Sequence, residues 1–218
     1  MSTLISLNGC VEPELFKFLH ENFSFGQVLG VDGGTRHLLK AGIKPNMVIG
    51  DLDSMGPYLG EVFALKVPML ISYPDKDFTD GERALQLSES VPVVFIGTWG
   101  KEMDHLLGNL ALLKMAYSLN KPAVAYGINE TIVFGKNFTL HLPVGKVISV
   151  LPSAAVVLSE KGLQWELEHV FWSDYAVPPI SNVVTQPIQH ISADKEFFLL
   201  VKGYWNPFND LVVLHQFP

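Results

Sequence analysis

The chain has 218 residues, 48% of them hydrophobic and 17% charged, with a formal net charge of −7. That length and apolar share suffice for one large domain or two small ones with buried cores, and so few charges exclude a largely disordered chain. The acidic balance, with no Lys/Arg-rich run, speaks against nucleic acid as the main partner.

In chain order, short apolar runs bounded by Gly, Pro or Asn predict buried strands over Thr3–Leu7, Gln27–Val31, Met47–Gly50, Val67–Ser72, Val91–Gly97 and Pro122–Tyr126. Helical patterns lie between them over Glu12–Glu21, Thr35–Ala41, Asp80–Glu89 and Asp104–Leu119, where Leu106, Leu110 and Leu113 share one stripe. Such alternation predicts a mostly parallel sheet with helices on both faces. Near Gly127–Glu130 the helical period ends. Thr131–Phe134, Thr139–Leu142, Val147–Leu151, Ala154–Leu158, Leu163–Leu167, Asn182–Thr185, Ile188–Ile191 and Phe197–Val201 then read as short strands. Turn signals such as Pro143-Val144-Gly145 and Glu160-Lys161-Gly162 separate them. The expected class is α/β over residues 1–127, followed by an all-β sandwich over residues 128–218. The aromatic stretch Tyr204, Trp205, Pro207 and Phe208 is expected to pack.

Cys10 is the only cysteine, which rules out an intrachain disulfide and a thiolate metal cluster and fits a reducing compartment. Met1 to Asn8 lack the basic start and long apolar region of a signal peptide. No stretch approaches about 20 consecutive apolar residues. A cytoplasmic protein without membrane contact is expected.

The chemistry concentrates at strand ends. Val31-Asp32-Gly33-Gly34-Thr35-Arg36 ends a strand with two glycines that let the backbone approach an anion closely. It lacks the third glycine of a dinucleotide fingerprint, and no P-loop signature occurs anywhere in the chain. Three acidic clusters follow: Gly50-Asp51-Leu52-Asp53-Ser54, then Asp75-Lys76-Asp77-Phe78-Thr79-Asp80, then Met103-Asp104-His105 with Asn109. In an open α/β sheet, ligands collect beyond the carboxyl ends of the strands. Carboxylates converging there repel one another unless a cation sits among them, and oxygen ligands of this kind favour Mg²⁺ on substrate phosphates. Singly, each has a plainer reading: an Asx-turn for Asp51 and Asp53, a helix cap for Asp80, a structural histidine for His105.

Asp32-Gly-Gly, Gly50-Asp-Leu-Asp-Ser54, Asp75-Lys-Asp-Phe-Thr-Asp80 with Ala84-Leu85, and Asp104-His with Gly108-Asn-Leu110 resemble, in order and spacing, the thiamine pyrophosphokinase family. Lys161-Gly-Leu-Gln-Trp165 and Ile180-Ser-Asn182 are similar to that family's second-half motifs. The resemblance implies an α/β ATP-binding catalytic domain and a β-sandwich that binds thiamine and dimerises. It implies transfer of the pyrophosphoryl group of ATP to the thiamine hydroxyl, giving thiamine diphosphate and AMP. A homodimer follows from it too, with the active site shared between subunits. One position departs from the pattern: Glu102 stands where the family usually has an arginine, with Lys101 beside it.

Roles follow from that resemblance. Asp51, Asp53 and Asp80 are the candidates for Mg²⁺, with Asp77 close by, and one of these or Asp104 takes or orients the hydroxyl proton. Asp32, Gly33, Gly34, Ser54, Lys76, Thr79, Lys101, His105 and Asn109 are the candidates for ATP and its phosphates. Trp165 is the candidate to stack on the cationic thiazolium or the aminopyrimidine, with Trp99 a second aromatic candidate. Ser181 and Asn182 are candidates for the pyrimidine edge. Two rivals stay open: a related diphosphotransferase with a different acceptor alcohol, and a non-catalytic thiamine- or nucleotide-binding regulator.

Overall fold

The computed structural model describes residues 1–72, 75, 77–100 and 102–208. The chain divides into two compact units, Met1–Ile128 and Asn129–Pro218.

In the first unit, strands β1 (Ser2–Ser6), β2 (Phe25–Val31), β3 (Met47–Gly50), β4 (Met69–Ile71), β5 (Val93–Ile96) and β6 (Ala123–Gly127) alternate with helices. The helices are α1 (Pro13–Asn22), α2 (Thr35–Lys40), α3 (Tyr58–Ala64), α4 (Asp80–Gln86) and α5 (Met103–Ser118). All strand pairs are parallel, in the order β6-β5-β1-β2-β3-β4. The chain winds outward from β1 to β4, then returns to β5 on the other side of β1. Right-handed crossovers therefore put α1, α2 and α3 on one face and α4 and α5 on the other. Packing agrees: Leu39, Val48, Met55, Val62 and Val67 form one cluster, while a side chain at Gly81 of α4 would meet Leu112 of α5. β1 and β5 are fully buried, β5 with apolar residues throughout, as strands covered on both faces are. The reversal between β1 and β5 makes a topological switch point, where open α/β sheets take their ligands.

α3 is an element that the sequence pattern did not announce. It is short, contains Gly60, and follows Gly56-Pro57, so turn signals mask its period. Val62 alone of its residues is buried. No helix among the described residues is long and apolar enough to cross a membrane.

The second unit is all β: β7 (Glu130–Leu140), β8 (Val147–Pro152), β9 (Val156–Lys161), β10 (Leu167–Trp172), β11 (Asn182–Val183) and β12 (Gln189–Lys202). β12 pairs antiparallel with β7 along its length, with an irregularity between Ser192 and Phe197. Before that point its other edge carries β9, and after it β8. One long ribbon thus serves two small sheets, as in sandwiches whose strands bend from one sheet to the other. Ile191, Phe197, Leu199 and Val201 point into the core and Phe138 meets Phe197 edge-on with centroids 5.3 Å apart. The predicted strand pairs Thr131–Phe134 with Thr139–Leu142, and Ile188–Ile191 with Phe197–Val201, are each one continuous strand. Polar residues at the bend interrupt the apolar pattern without ending the ladder. Leu163–Glu166 is a bend with one isolated bridge, Leu163 to Val184, and the strand begins at Leu167. The aromatic stretch packs as expected, with the Trp205 N–H donating to Thr131 Oγ1 at 2.9 Å.

Candidate functional site

Asp32, the Gly50–Ser54 turn and Asp80 meet at the carboxyl ends of β2, β3 and β4. Gly50 closes β3 with φ +141°, and a Cβ there would lie 1.7 Å from Asp32 Oδ1. Only glycine fits, because the Asp32 carboxyl occupies that space. Asp32 Oδ1 accepts the Leu52 N–H at 3.1 Å, and the Gly33 N–H donates to Ser54 Oγ at 2.8 Å. Asp32 and Leu52 both hold positive φ, 42° and 67°. The Asp-Gly-Gly turn and the Gly-Asp-Leu-Asp-Ser turn are therefore stitched into one surface.

Asp80 arrives from the first turn of α4. Ser72, just past β4, donates its hydroxyl to Asp80 Oδ1 at 2.6 Å. Thr79 caps the helix reciprocally with Glu82, which aims the first turn at the strand ends. The Asp80 carboxylate stands close enough to Asp32 for its charge to bear on it. Two carboxylates this close repel each other unless a proton or a cation lies between them. Burial, then the charges of Asp80 and Asp51, push Asp32 up to about 6, against the opposing Leu52 N–H.

The other predicted residues fall around this pair. Asp51 accepts the Asp53 N–H at 3.2 Å and is exposed. Asp53 is also exposed and is not among the charges that bear on Asp32. The structure thus couples Asp32, Asp80 and Asp51, whereas the sequence had grouped Asp51, Asp53 and Asp80. Among the described residues no three His, Cys, Asp or Glu side chains form a closed metal-ligand set. Asp77 is exposed beside the Thr79 cap. Lys76 and Lys101, the candidate phosphate lysines, lie outside the described residues.

At the start of α5, Asp104 Oδ1 accepts the His105 N–H, and His105 Nε2 lies 3.6 Å from the Glu102 carboxylate, both well exposed. Asn109 is used structurally: its amide donates to the Thr98 carbonyl at 3.0 Å, pinning α5 to the end of β5. Trp99 lies against Gly127, where a Cβ would come within 2.8 Å of the indole, so its ring packs inside the first unit.

Sequence reasoning passed over Asn8, Gly9 and Arg36. Arg36 donates from Nε to the Gly33 carbonyl at 2.8 Å and from Nη2 to Asn8 Oδ1 at 2.6 Å. His37 Nε2 lies 2.7 Å from the Gly9 carbonyl, and the Gly9 N–H donates to Gly97 O at 2.8 Å. These bonds tie the loops after β1, β2 and β5 together at the switch point. No carboxylate among the described residues pairs with Arg36, so neutral acceptors hold its guanidinium with its charge intact. A signal existed: Arg36 is three residues past Gly33, one helical turn from the anion-facing backbone.

In the second unit, Trp165 is 57% exposed. Its backbone is held by Asn182, whose Oδ1 accepts the Trp165 N–H at 3.1 Å and whose Nδ2 donates to the Trp165 carbonyl at 2.8 Å. Ser181 is exposed, with φ 59°, and its N–H donates to Ser149 Oγ at 2.9 Å.

A direct consequence concerns Gly50. Gly50→Ala is expected to lose stability, by about 1–3 kcal/mol from the backbone alone, and to displace Asp32. Chemical denaturation alongside turnover checks this, and an alanine variant with wild-type stability and turnover would contradict the stitched-turn geometry.

Residues 22–125 match the model of the family described as thiamin pyrophosphokinase, catalytic domain. That segment, a little under half of the chain, is thus similar to the family's catalytic domain, in line with the resemblance carried by the acidic motifs. The chain is 38% identical over 96 residues to the thiamine pyrophosphokinase of Bacillus subtilis (strain 168), a stretch covering 42% of this chain and 45% of that one. The aligned stretch thus spans less than half of that relative's length. Among solved structures, thiamine pyrophosphokinase from Bacillus subtilis superimposes with a TM-score of 0.79 at 23% identity, covering 94% of this chain and all of that one. The yeast thiamin pyrophosphokinase does so with a TM-score of 0.76 at 17% identity, covering 93% of this chain and 86% of that one. At those identities the likeness speaks for the fold.

Proposed function

We propose that this protein transfers the pyrophosphoryl group of ATP to the hydroxyl of thiamine, releasing AMP and thiamine diphosphate. The observation that carries this reading is the convergence of Asp32, seated against Gly50 and Leu52, and Asp80, held by Ser72, at the strand ends, within the segment that matches a thiamin pyrophosphokinase catalytic domain. Half-buried carboxylates that crowd each other suit a cation bound to phosphate.

Asp32, Asp51 and Asp80 are the oxygen donors that would hold Mg²⁺, and their hardness and mutual repulsion fit it. When bound, the ion offsets the negative charge of the phosphates. The chain's own work is positioning, as in phosphoryl transfer generally. The Gly33-Gly34 turn lets backbone approach the phosphates, and Arg36 presents beside it a guanidinium held by neutral acceptors, with no carboxylate partner among the described residues. The acceptor oxygen bonds to the β-phosphorus, the bond from that phosphorus to the AMP oxygen breaks, and the hydroxyl proton passes to a nearby carboxylate. Asp53, Asp77 and Asp104, all exposed, are free to turn toward that hydroxyl.

The acceptor's rings are assigned to the exposed indole of Trp165, and a second copy of the chain is proposed to share the site. Phe171, Tyr175, Val177 and Ile180 are exposed by 66%, 99%, 77% and 58%, an apolar run suited to association. The single cysteine fits a cytoplasmic location. A second reading, a different acceptor alcohol, draws on Glu102, an acid that faces His105 where the family usually has arginine.

The test is AMP release from ATP and Mg²⁺ by the purified protein, with and without thiamine. AMP is expected only with thiamine, in step with thiamine diphosphate. Formation of ADP, or AMP release indifferent to thiamine, would overturn the assignment.

A further inference from the structure

Glu160 is a carboxylic acid 1% exposed in the middle of the second unit, and nothing in the transfer chemistry uses it. It sits on β9, in register with Leu167 of β10 and Ile191 of β12. Burying such a group is costly unless it does something an apolar side chain could not. Oε2 accepts from Asn182 Nδ2 at 2.9 Å, while Oε1 has no hydrogen-bond partner.

The bond matters through what Asn182 does next. An amide has one acceptor and one donor end, alike in size. Here Oδ1 accepts the N–H groups of Trp165 and Val183, at 3.1 and 2.9 Å. Nδ2 donates to the Trp165 carbonyl at 2.8 Å and to Glu160. All its capacity is taken up within the chain, so Asn182 has none left for a ligand. A carboxyl at Glu160 accepts only from the Nδ2 end, so it selects the orientation in which the amide clamps the backbone N–H and carbonyl of Trp165. The surrounding turn is fixed as well: Gly162 N–H donates to Glu166 Oε1 at 2.7 Å and Gln164 N–H to Val183 O at 2.8 Å. A rigid, buried polar relay thus ends on an indole left 57% exposed.

We propose that Glu160 and Asn182 are positioning residues that hold the Trp165 indole in place for the acceptor's aromatic rings. This rests on the reading of Trp165 as the acceptor's stacking partner. Burial raises the Glu160 carboxyl to about 7, with the Asn182 donation pulling the other way. That is consistent with a group kept for its hydrogen bond rather than its charge.

The test uses the full chain, with Glu160→Leu, Glu160→Gln and Glu160→Asp beside Trp165→Ala. Gln keeps an acceptor of the same reach, Leu removes it, and Asp withdraws it by one methylene, which serves if the leucine variant does not fold. Glu160→Leu or Glu160→Asp is expected to raise the thiamine KM about tenfold, the effect of one lost contact of this kind. The kcat and the ATP KM should stay within about twofold, Gln should restore the thiamine KM, and no further rise should occur in a Trp165→Ala background. The fluorine resonance of 5-fluoro-Trp165, identified by its loss in Trp165→Ala, reports the indole's placement without any substrate. It should shift or broaden in the leucine or aspartate variant and return with glutamine. An unmoved resonance, or equal additional damage in the Trp165→Ala background, would overturn the positioning role. A moved resonance with an unchanged thiamine KM would uphold the positioning of the indole and overturn its assignment to the acceptor.

Discussion

Asp80→Asn is expected to lower turnover by about a hundred- to a thousandfold, the scale seen when one preorganised electrostatic group is removed from a transfer site. Stability should not fall with it. Asp80 and Asp32 repel each other in partial burial, so neutralising one relieves strain in the folded state, and an amide oxygen can still accept the Ser72 hydroxyl. The new residue also stays compatible with a first helical turn that Thr79 and Glu82 already cap. Asp51→Asn is expected to lower turnover in the same direction, because Asp51 adds its charge to the same pair. Turnover and the unfolding midpoint, measured on the same preparations, decide the matter. Wild-type turnover in both variants would remove the acidic pair from the reaction.

Trp165→Ala is expected to raise the thiamine KM about tenfold to a hundredfold, since an aromatic face on a cationic ring and its stacking contact are together worth on the order of 1–3 kcal/mol. The ATP KM should hardly move. Because the indole is 57% exposed, its loss leaves no buried cavity, and the unfolding midpoint should stay near that of the wild type. Steady-state AMP production with each substrate varied in turn measures both constants. Equal damage to the two would make Trp165 a packing residue.

These two expectations differ in how far they could be read in advance. Asp80 and Trp165 were both visible as residues, because acidic turns after apolar strands and a tryptophan after Gly-Leu-Gln are local patterns. Their surroundings were not. Asp80 reads locally as a helix cap, yet Thr79 is the cap and Asp80 turns toward Asp32. Trp165 reads as a stacking candidate, and only the fold shows that its indole stays exposed.

What the sequence determined by itself is the alternation of strands and helices up to β6, the change to strands beyond it, and the residue types at the strand ends. These follow from periodicity and turn chemistry, which act over a few residues. β3 at Met47–Gly50 is an example, since an apolar run closed by glycine admits one reading. Tertiary structure alone decided which carboxyls meet. Asp32 joins Asp80 because β2, β3 and β4 lie side by side and residue 50 lacks a side chain. It also decided that β7 and β12 run unbroken through polar stretches, since pairing along a partner strand outweighs a local lapse in pattern. Asn182 lies next to an exposed serine in sequence and looks like a ligand contact. The packing of β9 against its neighbours brings Glu160 to its amide, and a hydrogen bond between residues so far apart in the chain leaves no periodic trace.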